Sequence, residues 1–256
     1  MANDSERRSQ AEILERGHIY FMYRPRVGEE HPAGVADIER FYMALEPDSG
    51  HPVRLMVIGA KHAPGVDNHE TTWAFVYRVS DTPSGLEATL QGATYETRTR
   101  GERALPAARP AGEGVYAIVY RKDQAHLMYA LELPDEPDDV QKQLRIAPEA
   151  SFALSIKNPE QGAPTAAGLQ ADQAADYPQA LQARFRGRRF DQEHPELLDY
   201  AGAEIVLIGA RPDPEAAYGV SLEPGEEDVH TADILNELKM ARSRHPVQPL
   251  IKGEWR

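Results

Sequence analysis

The sequence predicts a mostly β fold of the α+β class: an antiparallel barrel or sandwich made of two related three-strand halves, with short helices and a C-terminal helix. Short segments rich in aromatic and branched residues recur along the chain, separated by turns and with few helical stretches between them. Segments in the second part of the chain also echo segments in the first. We therefore expect one domain, residues 1–256, with an internal pseudo-duplication of residues 17–93 and 112–211.

The first half is predicted to follow a short helix at residues 5–16. Ser9 and Glu12 fit a capping box, and Gly17 is a natural stop for this helix. A strand pattern then begins, in which apolar segments are bounded by proline and glycine turns. The predicted strands lie at residues 18–23, 41–45, 53–58 and 73–79. A short helix is expected near residues 84–91.

The core strands of the second half have counterparts in the first, because similar residues recur in the same order. The pairs are 114–121 with 17–24, 126–134 with 40–47, and 151–157 with 54–61. Residues 204–211 repeat the Gly-Ala-basic ending of residues 54–61. Chance similarity between amphipathic strands is the alternative interpretation.

The remaining segments are predicted to be loops and a final helix. Residues 160–178 are rich in Ala, Gly, Gln and Pro and indicate a long loop. Residues 212–230 are acidic, which is typical of a solvated, mobile loop. Thr231 can cap a C-terminal helix at residues 231–245, which Pro246 would end.

The composition excludes several chemistries. The chain has no cysteine, which rules out disulfides, cysteine-ligated zinc, iron–sulfur clusters and cysteine nucleophiles. Its apolar runs are too short to span a bilayer and its N-terminus lacks a signal-peptide core, so we expect a cytoplasmic protein that binds no membrane. The G-x-G-x-x-A pattern at residues 112–117 precedes a strand rather than a helix, which argues against a dinucleotide site. We expect no cofactor.

Groups of histidines and acidic residues could bind a divalent metal, but their spacing does not place the members on one face. We interpret them as exposed polar loops and predict no metal site. The groups are His62, Asp67, His69 and Glu70, and Asp191, Glu193, His194 and Glu196.

The arginines are clustered, although the formal net charge is −13. One cluster lies at residues 95–109, another lies at 184–190, and Arg24 and Arg26 flank a proline. Guanidinium groups bind carboxylate and phosphate through two parallel hydrogen bonds, so the clusters indicate a specific anion site. If the segments converge, the ligand-binding residues are Arg24, Arg26, Tyr95, Arg98, Arg100, Arg103, Arg109, Phe185, Arg186, Arg188 and Arg189. The alternative is that each arginine pairs with one of the 41 acidic residues on a solvated surface.

Several functions fit this pattern. The first hypothesis is a binding or regulatory module with an Arg-rich pocket for a phosphorylated or polycarboxylate small molecule. The alternative is an enzyme acting on an anionic substrate, with His18 or His126 as a general base at the start of a strand. Further alternatives are a protein–protein scaffold that uses residues 212–256 and a local groove for single-stranded nucleic acid. The net negative charge disfavours general nucleic-acid binding. The residues leave open whether the chain is an enzyme.

The chain resembles an uncharacterised family of bacteria, plants and fungi, some fungal members of which are labelled "BTB domain transcription factor". The resemblance extends over residues 17–211 and is carried by four strings: GHIYFMYRPRVG (17–28), YETRTRGERALPAARPAGEGVY (95–116), RFRGRRF (184–190) and LLDYAGAEIVLIGA (197–210). It implies no activity, cofactor or catalytic residue.

Overall fold

The computed structural model describes residues 11–97, 101–162, 169–170, 172–227, 231–240 and 244–255. β-Strands make up most of the regular secondary structure. The strands are β1 Glu12–Pro25, β2 Ile38–Pro47, β3 Val53–Ile58, β4 Thr71–Ser80, β5 Ala93–Thr97, β6 Gly101–Leu105, β7 Arg109–Arg121, β8 Gln124–Leu133, β9 Glu149–Lys157, β10 Phe190–Asp191 and β11 Glu204–Arg211. The helices are short: α1 Glu87–Leu90, α2 Asp139–Leu144, α3 Gln179–Gln182, α4 Pro214–Tyr218, α5 Asp233–Asn236 and α6 Gln248–Lys252.

Eight strands form a closed antiparallel barrel, which confirms the predicted fold class. Their order around the barrel is β9-β11-β4-β3-β2-β1-β7-β8, and pairing of β8 with β9 closes the ring. The chain enters the barrel as two meanders, β1 to β4 and then β7, β8, β9 and β11. Each meander contains the strands predicted for one half, while the duplication itself stays a prediction.

Among the described residues, no helix is long and apolar enough to cross a membrane.

The barrel interior is filled by the period-two alternation of its strands. In β1, Ile19, Phe21 and Tyr23 point inward to the main core, whereas Tyr20 and Met22 point outward. The rings of Phe21 and Tyr129, from β1 and β8, meet edge to face at 5.1 Å between their centroids. Strands such as β1 are apolar on both faces because a second layer covers much of the outside of the barrel.

The outer layer consists of the short helices and extended segments. Leu90, Ile234, Leu238 and Leu250 cover the outer face of the first meander. On the second meander, the outward side chains of β7 and β8 are covered by residues 218–222. This layer positions the segments that carry the charged groups discussed below.

A buried ion network lies inside the barrel. Arg54 is fully buried and donates to both carboxylate oxygens of Glu15 at 2.7 and 2.9 Å. Asp199 accepts from Nε of Arg54 at 2.7 Å, and the hydroxyl of Tyr116 donates to Glu15 at 2.7 Å. Since every charge has an opposite partner, this network offsets the cost of burying the guanidinium.

Residues 12–16 are strand rather than the end of the predicted helix at 5–16, and residues 1–10 lie outside the described part of the chain. The capping-box pattern is overridden because this segment pairs with β7 and buries Glu15 against Arg54. Tertiary pairing of this kind outweighs a local helix signal.

The predicted C-terminal helix at 231–245 is helical only at Asp233–Asn236, and residues 241–243 are not described. Lys239 has a φ of 55°, a left-handed conformation that an α-helix does not tolerate. The chain instead turns so that Leu238 and Met240 pack on the barrel. The C-terminal helix of the structure is α6, Gln248–Lys252.

The acidic segment 212–230, predicted to be a mobile loop, is packed over its described part, residues 212–227. It opens with α4, and Tyr218, Val220 and Leu222 are buried against β7 and β8. These side chains alternate with exposed residues, as in a strand that faces an apolar surface. The acidic residues lie mainly on the exposed side of this segment.

Candidate functional site

Arg24 is a structural residue rather than a ligand-binding one. Its side chain is 3 % exposed, and its guanidinium donates to the main-chain oxygens of Thr89, Gln91 and Pro106. Nε also donates to the hydroxyl of Tyr42 at 3.3 Å. These bonds hold the loops on either side of the β5–β6 hairpin against the barrel and occupy the donors that an anion would need.

Arg109 has a similar role. It is buried, and it donates to the main-chain oxygens of Trp255 at 3.0 Å and Glu30 at 2.6 Å. The hydroxyl of Tyr23 faces this guanidinium, and burial raises the pKa of Tyr23 to about 12. Arg109 therefore fastens the C-terminal segment to the barrel.

Of the other residues of the first predicted cluster, the two that the structure describes, Tyr95 and Arg103, lie on the β5–β6 hairpin. Tyr95 is 44 % exposed, and Arg103 is half-buried with Nη2 at 3.4 Å from the main-chain oxygen of Val27. Arg98 and Arg100 lie outside the described residues. Arg26 is exposed on the loop that follows β1.

The second cluster lies elsewhere. Phe185 is fully buried against Tyr177, so its ring does not wall a surface pocket. Arg186, Arg188 and Arg189 are exposed. Burial raises the pKa of Tyr120, and the charge of Arg188 lies near enough to oppose that shift.

The predicted arginines of the described part are thus not brought into one pocket. Tyr23 pairs with Arg109 at one end of β7, whereas Tyr120, beside Arg188, lies at the other end of this strand. At about 3.3 Å per residue, the two ends are separated by roughly 35 Å. Arg24 and Arg109 also donate to main-chain oxygens from both Nη1 and Nη2.

A different set of basic residues does converge, in what we call the basic pocket. This cavity of about 660 Å³ lies on the outer wall of the barrel between the β7–β8 turn and α4. Its volume is in the range of small-molecule sites. It is lined by Arg121, Lys122, Gln124, His126, Arg211, Pro212, Asp213, Ala216, Ala217 and Tyr218.

The fold explains why these residues meet. Arg121 ends β7, and Lys122 and Asp123 have φ of 53° and 60°, as in the tight turn that joins two antiparallel strands. His126 lies on the outer face of β8, between the inward-facing Ala125 and Leu127. Arg211 ends β11 after a register shift.

Helix α4 closes the pocket from above. Arg121 donates to the main-chain oxygen of Ala217, which fastens this helix to the β7–β8 turn. Asp213 caps α4 by accepting from the main-chain nitrogen of Ala216 at 3.3 Å. Tyr218, at the end of the helix, is 9 % exposed and lies over β8 and β9.

A chain of hydrogen bonds forms the floor of the basic pocket. The hydroxyl of Tyr218 lies 3.0 Å from Nδ1 of His126 and 3.3 Å from Oγ of Ser151. Oγ of Ser151 in turn accepts from the main-chain nitrogen of Arg211 at 3.1 Å. In the tautomer in which Nδ1 accepts from Tyr218, the imidazole proton lies on Nε2, which then serves as a donor.

His126 is neutral at physiological pH. Burial, together with the nearby charges of Arg121 and Arg211, lowers the pKa of its imidazole to about 4. Burial also raises the pKa of Tyr218, so this hydroxyl keeps its proton. The basic pocket therefore offers cations and neutral donors, and Asp213 is the one acidic residue in its described lining.

His18, the other candidate base, lies outside the basic pocket. Its side chain is 37 % exposed, and Nδ1 lies 3.5 Å from the carboxylate of Asp233. The carboxylates of Glu46 and Glu132 are also near enough for His18 to act on their pKa values. An acidic neighbourhood of this kind does not suit an anionic substrate.

A second cavity, of about 640 Å³, has a different character. Most of its lining residues are apolar, from the loop 64–68 and from residues 146–150 after α2. Its cations are already paired, Lys142 with Asp138 at 3.0 Å and Arg145 with Glu70. It is therefore less suited to an anion than the basic pocket is.

No group of histidines and acidic residues in the described part of the chain is arranged to hold a metal ion. Asp191 accepts from the main-chain nitrogens of Glu193 and His194, both at 2.9 Å. Glu70 accepts from the main-chain nitrogen of Gly65 at 2.9 Å. Both carboxylates thus order their own loops.

No family model, curated protein or solved structure matches this chain. The assignment of the basic pocket therefore depends on its own residues. Sequence reasoning identified His126 but missed Arg121 and Arg211. Both end strands in the segments that repeat between the halves, at residues 114–121 and 204–211, so basic residues at repeated strand ends were the available signal.

Proposed function

We propose that the protein is a binding or regulatory module whose basic pocket takes a phosphorylated or polycarboxylate small molecule. The observation that supports this is the convergence of Arg121, Lys122 and Arg211 around the neutral imidazole of His126. These groups come from β7, the following turn, β8 and β11, so the closed barrel holds them in place.

Charge and donor chemistry favour an anion with several oxygens. Guanidinium and ammonium groups only donate, and charge-assisted hydrogen bonds to phosphate or carboxylate are the strong ones. Nε2 of His126 adds a donor that carries no charge. Asp213 is less of an obstacle to an anion because its carboxylate already caps α4.

The same geometry favours binding over catalysis. A general base is most effective with a pKa near the working pH, and the pKa of His126 is about 4. Ser151 is fully buried beneath Tyr218, so its hydroxyl is not placed to attack a substrate. An enzyme acting on an anionic substrate is the alternative, and the His126–Tyr218 hydrogen bond is the feature that favours it.

A thermal-shift screen tests the proposal and identifies the ligand class. Pyrophosphate, nucleotides, sugar phosphates and polycarboxylates are compared with sodium chloride at equal ionic strength, because a ligand of the folded state raises the melting temperature while sodium chloride controls for general salt effects. We expect one class to raise the melting temperature of the wild-type protein more than that of Arg211→Gln. Equal shifts in both proteins, or none, would refute the proposal. Turnover of a phosphorylated compound that His126→Ala abolishes would instead support the enzyme.

A further inference from the structure

A group of exposed positive charges lies outside the basic pocket, on a segment that we call the arginine turn, residues 184–189. Arg184, Arg186, Arg188 and Arg189 are all exposed. Within the part of the chain that the structure describes, their guanidinium groups form no ion pair or hydrogen bond. No direct ion pair with an acidic residue of the described chain therefore neutralises them.

The main chain of the arginine turn is firmly held. Arg186 and Gly187 have φ of 51° and 72°, and the main-chain nitrogen of Arg188 donates to the oxygen of Phe185 at 2.8 Å. Positive φ at both central residues makes this a tight two-residue turn. The hydrogen-bonded turn begins at Phe185, and the buried ring of this residue anchors it to the protein.

Asn158 fixes the other side of the turn. It is 1 % exposed, and its amide Nδ2 donates to the main-chain oxygen of Arg188 at 3.0 Å. Its main-chain nitrogen donates to the oxygen of Arg189 at 2.8 Å. A turn held in this way loses little backbone freedom when its side chains bind a partner, which favours affinity.

Aromatic rings lie directly beside the arginine turn. Phe190 follows it in β10, and its ring centroid lies 6.4 Å from that of Trp73. Trp73 points outward from β4, since its neighbours Thr72 and Ala74 are buried. Both residues are half-buried, so part of their surface is open to a partner.

We propose that the arginine turn, together with Trp73 and Phe190, binds single-stranded nucleic acid. Phosphates would pair with the guanidiniums, and unpaired bases would stack on the rings, which is how proteins bind single strands without reading sequence. An acidic peptide would use the same charges but has no bases for the rings. Duplex DNA is disfavoured because the net charge of −13 leaves no broad basic surface.

Binding of a labelled short oligonucleotide, followed by fluorescence anisotropy at several salt concentrations, tests the charges. Each phosphate contact on a single strand contributes about 0.7 to the slope of log affinity against log salt. The double variant Arg186→Gln/Arg188→Gln should therefore bind more weakly and lower the slope by about 1.4. Arg26→Gln is the matched control, because this exposed arginine lies near the opposite end of β7.

Tryptophan fluorescence tests the rings. The chain has 2 tryptophans, so Trp255→Phe leaves Trp73 as the only reporter. The oligonucleotide should quench this emission, whereas pyrophosphate, the probe for the basic pocket, should not. An unchanged slope in the double variant, an unquenched Trp73, or equal competition by polyglutamate would overturn the proposal. Since Arg211 does not line this surface, Arg211→Gln should leave oligonucleotide affinity unchanged, and the two sites can fail separately.

Discussion

The hydroxyl of Tyr218 lies 3.0 Å from Nδ1 of His126 and joins helix α4 to the outer face of the barrel. The bond closes one side of the basic pocket and fixes the orientation of the imidazole. The pKa of His126 is lowered to about 4, mainly by burial. The pocket is therefore set up to present a neutral donor between two guanidiniums.

The low pKa of His126 predicts a specific loss of stability in acid. In the unfolded chain the imidazole takes up a proton below about pH 6.5, whereas in the folded protein it does so only near pH 4. The unfolded state thus binds more protons between these values, and the free energy of unfolding falls as the pH drops through this window. His126→Asn, which does not titrate, should reduce that fall in urea unfolding measured from pH 7 to pH 4. An unchanged pH profile would contradict the burial of a neutral His126.

The raised pKa of Glu113 predicts the opposite pH dependence of the free energy of unfolding. Burial raises the pKa of this carboxyl to about 8, and the neighbouring carboxylate of Glu227 contributes. Above about pH 4.5 the unfolded chain loses this proton while the folded protein keeps it, so the free energy of unfolding falls as the pH rises toward 8. Glu113→Gln mimics the protonated form and retains an acceptor for the main-chain nitrogen of Ile234.

We therefore expect Glu113→Gln to be more stable than the wild-type protein at pH 8 and nearly equal to it at pH 5. Thermal unfolding at these values measures the difference. The exposed Glu226→Gln is the control, since it removes a charge from the same acidic segment that carries Glu227. If both variants behave alike, general charge repulsion rather than the buried Glu113 explains the effect.

Arg24 should matter for folding and not for anion binding. Arg24→Gln leaves the main-chain oxygens of Thr89, Gln91 and Pro106 without their donors. We expect a loss of roughly 3 kcal/mol in the free energy of unfolding, because three partly buried acceptors lose their bonds. Arg24→Lys keeps the charge but not the planar guanidinium with its several N–H donors, and should also destabilise the protein. Stable variants that have lost pyrophosphate binding would place Arg24 in a ligand site instead.

Anion binding should be coupled to proton uptake at the basic pocket. The positive charges of Arg121 and Arg211 help to keep His126 neutral, and a bound anion between them would offset this effect and raise the pKa. Affinity for sulfate, whose own charge is constant, should therefore rise as the pH falls from about 7 toward 5. Calorimetry in two buffers of different ionisation enthalpy measures the proton uptake, and His126→Asn should eliminate it. Uptake that persists in the variant would assign the proton to another group.

Most of the barrel could be predicted from the sequence because its strands show a clear local pattern. Aromatic and branched residues between turns located the cores of β1, β2, β3 and β4, and the echoes located β7, β8 and β9. Closure could not be predicted, because pairing of β8 with β9 and of β4 with β11 depends on the twist of the whole sheet. The packing of Tyr218, Val220 and Leu222 was missed because the acidic residues between them dominated the pattern.

The site was only partly predictable. His126 was identified, but clustering in the sequence favoured arginines that the fold then separates. Arg24 and Arg109 are buried against main-chain oxygens, and no local pattern distinguishes such a residue from a ligand-binding one. Arg121 and Arg211 are 90 positions apart in the numbering. They meet because β7 and β11, which they end, belong to one run of neighbouring strands in the barrel, with β8 and β9 between them.

Isothermal titration calorimetry with pyrophosphate tests the basic pocket most directly. The proteins compared are the wild type, Lys122→Gln, Arg211→Gln and the control Arg26→Gln. Each pocket substitution removes a charged hydrogen-bond donor, which we expect to weaken affinity by roughly tenfold or more. The main-chain bond from residue 211 to Ser151 remains, so the floor of the pocket is preserved. Binding that weakens in the two pocket variants and not in Arg26→Gln is the predicted result; no binding to the wild type, or equal affinity in all four proteins, would contradict the account.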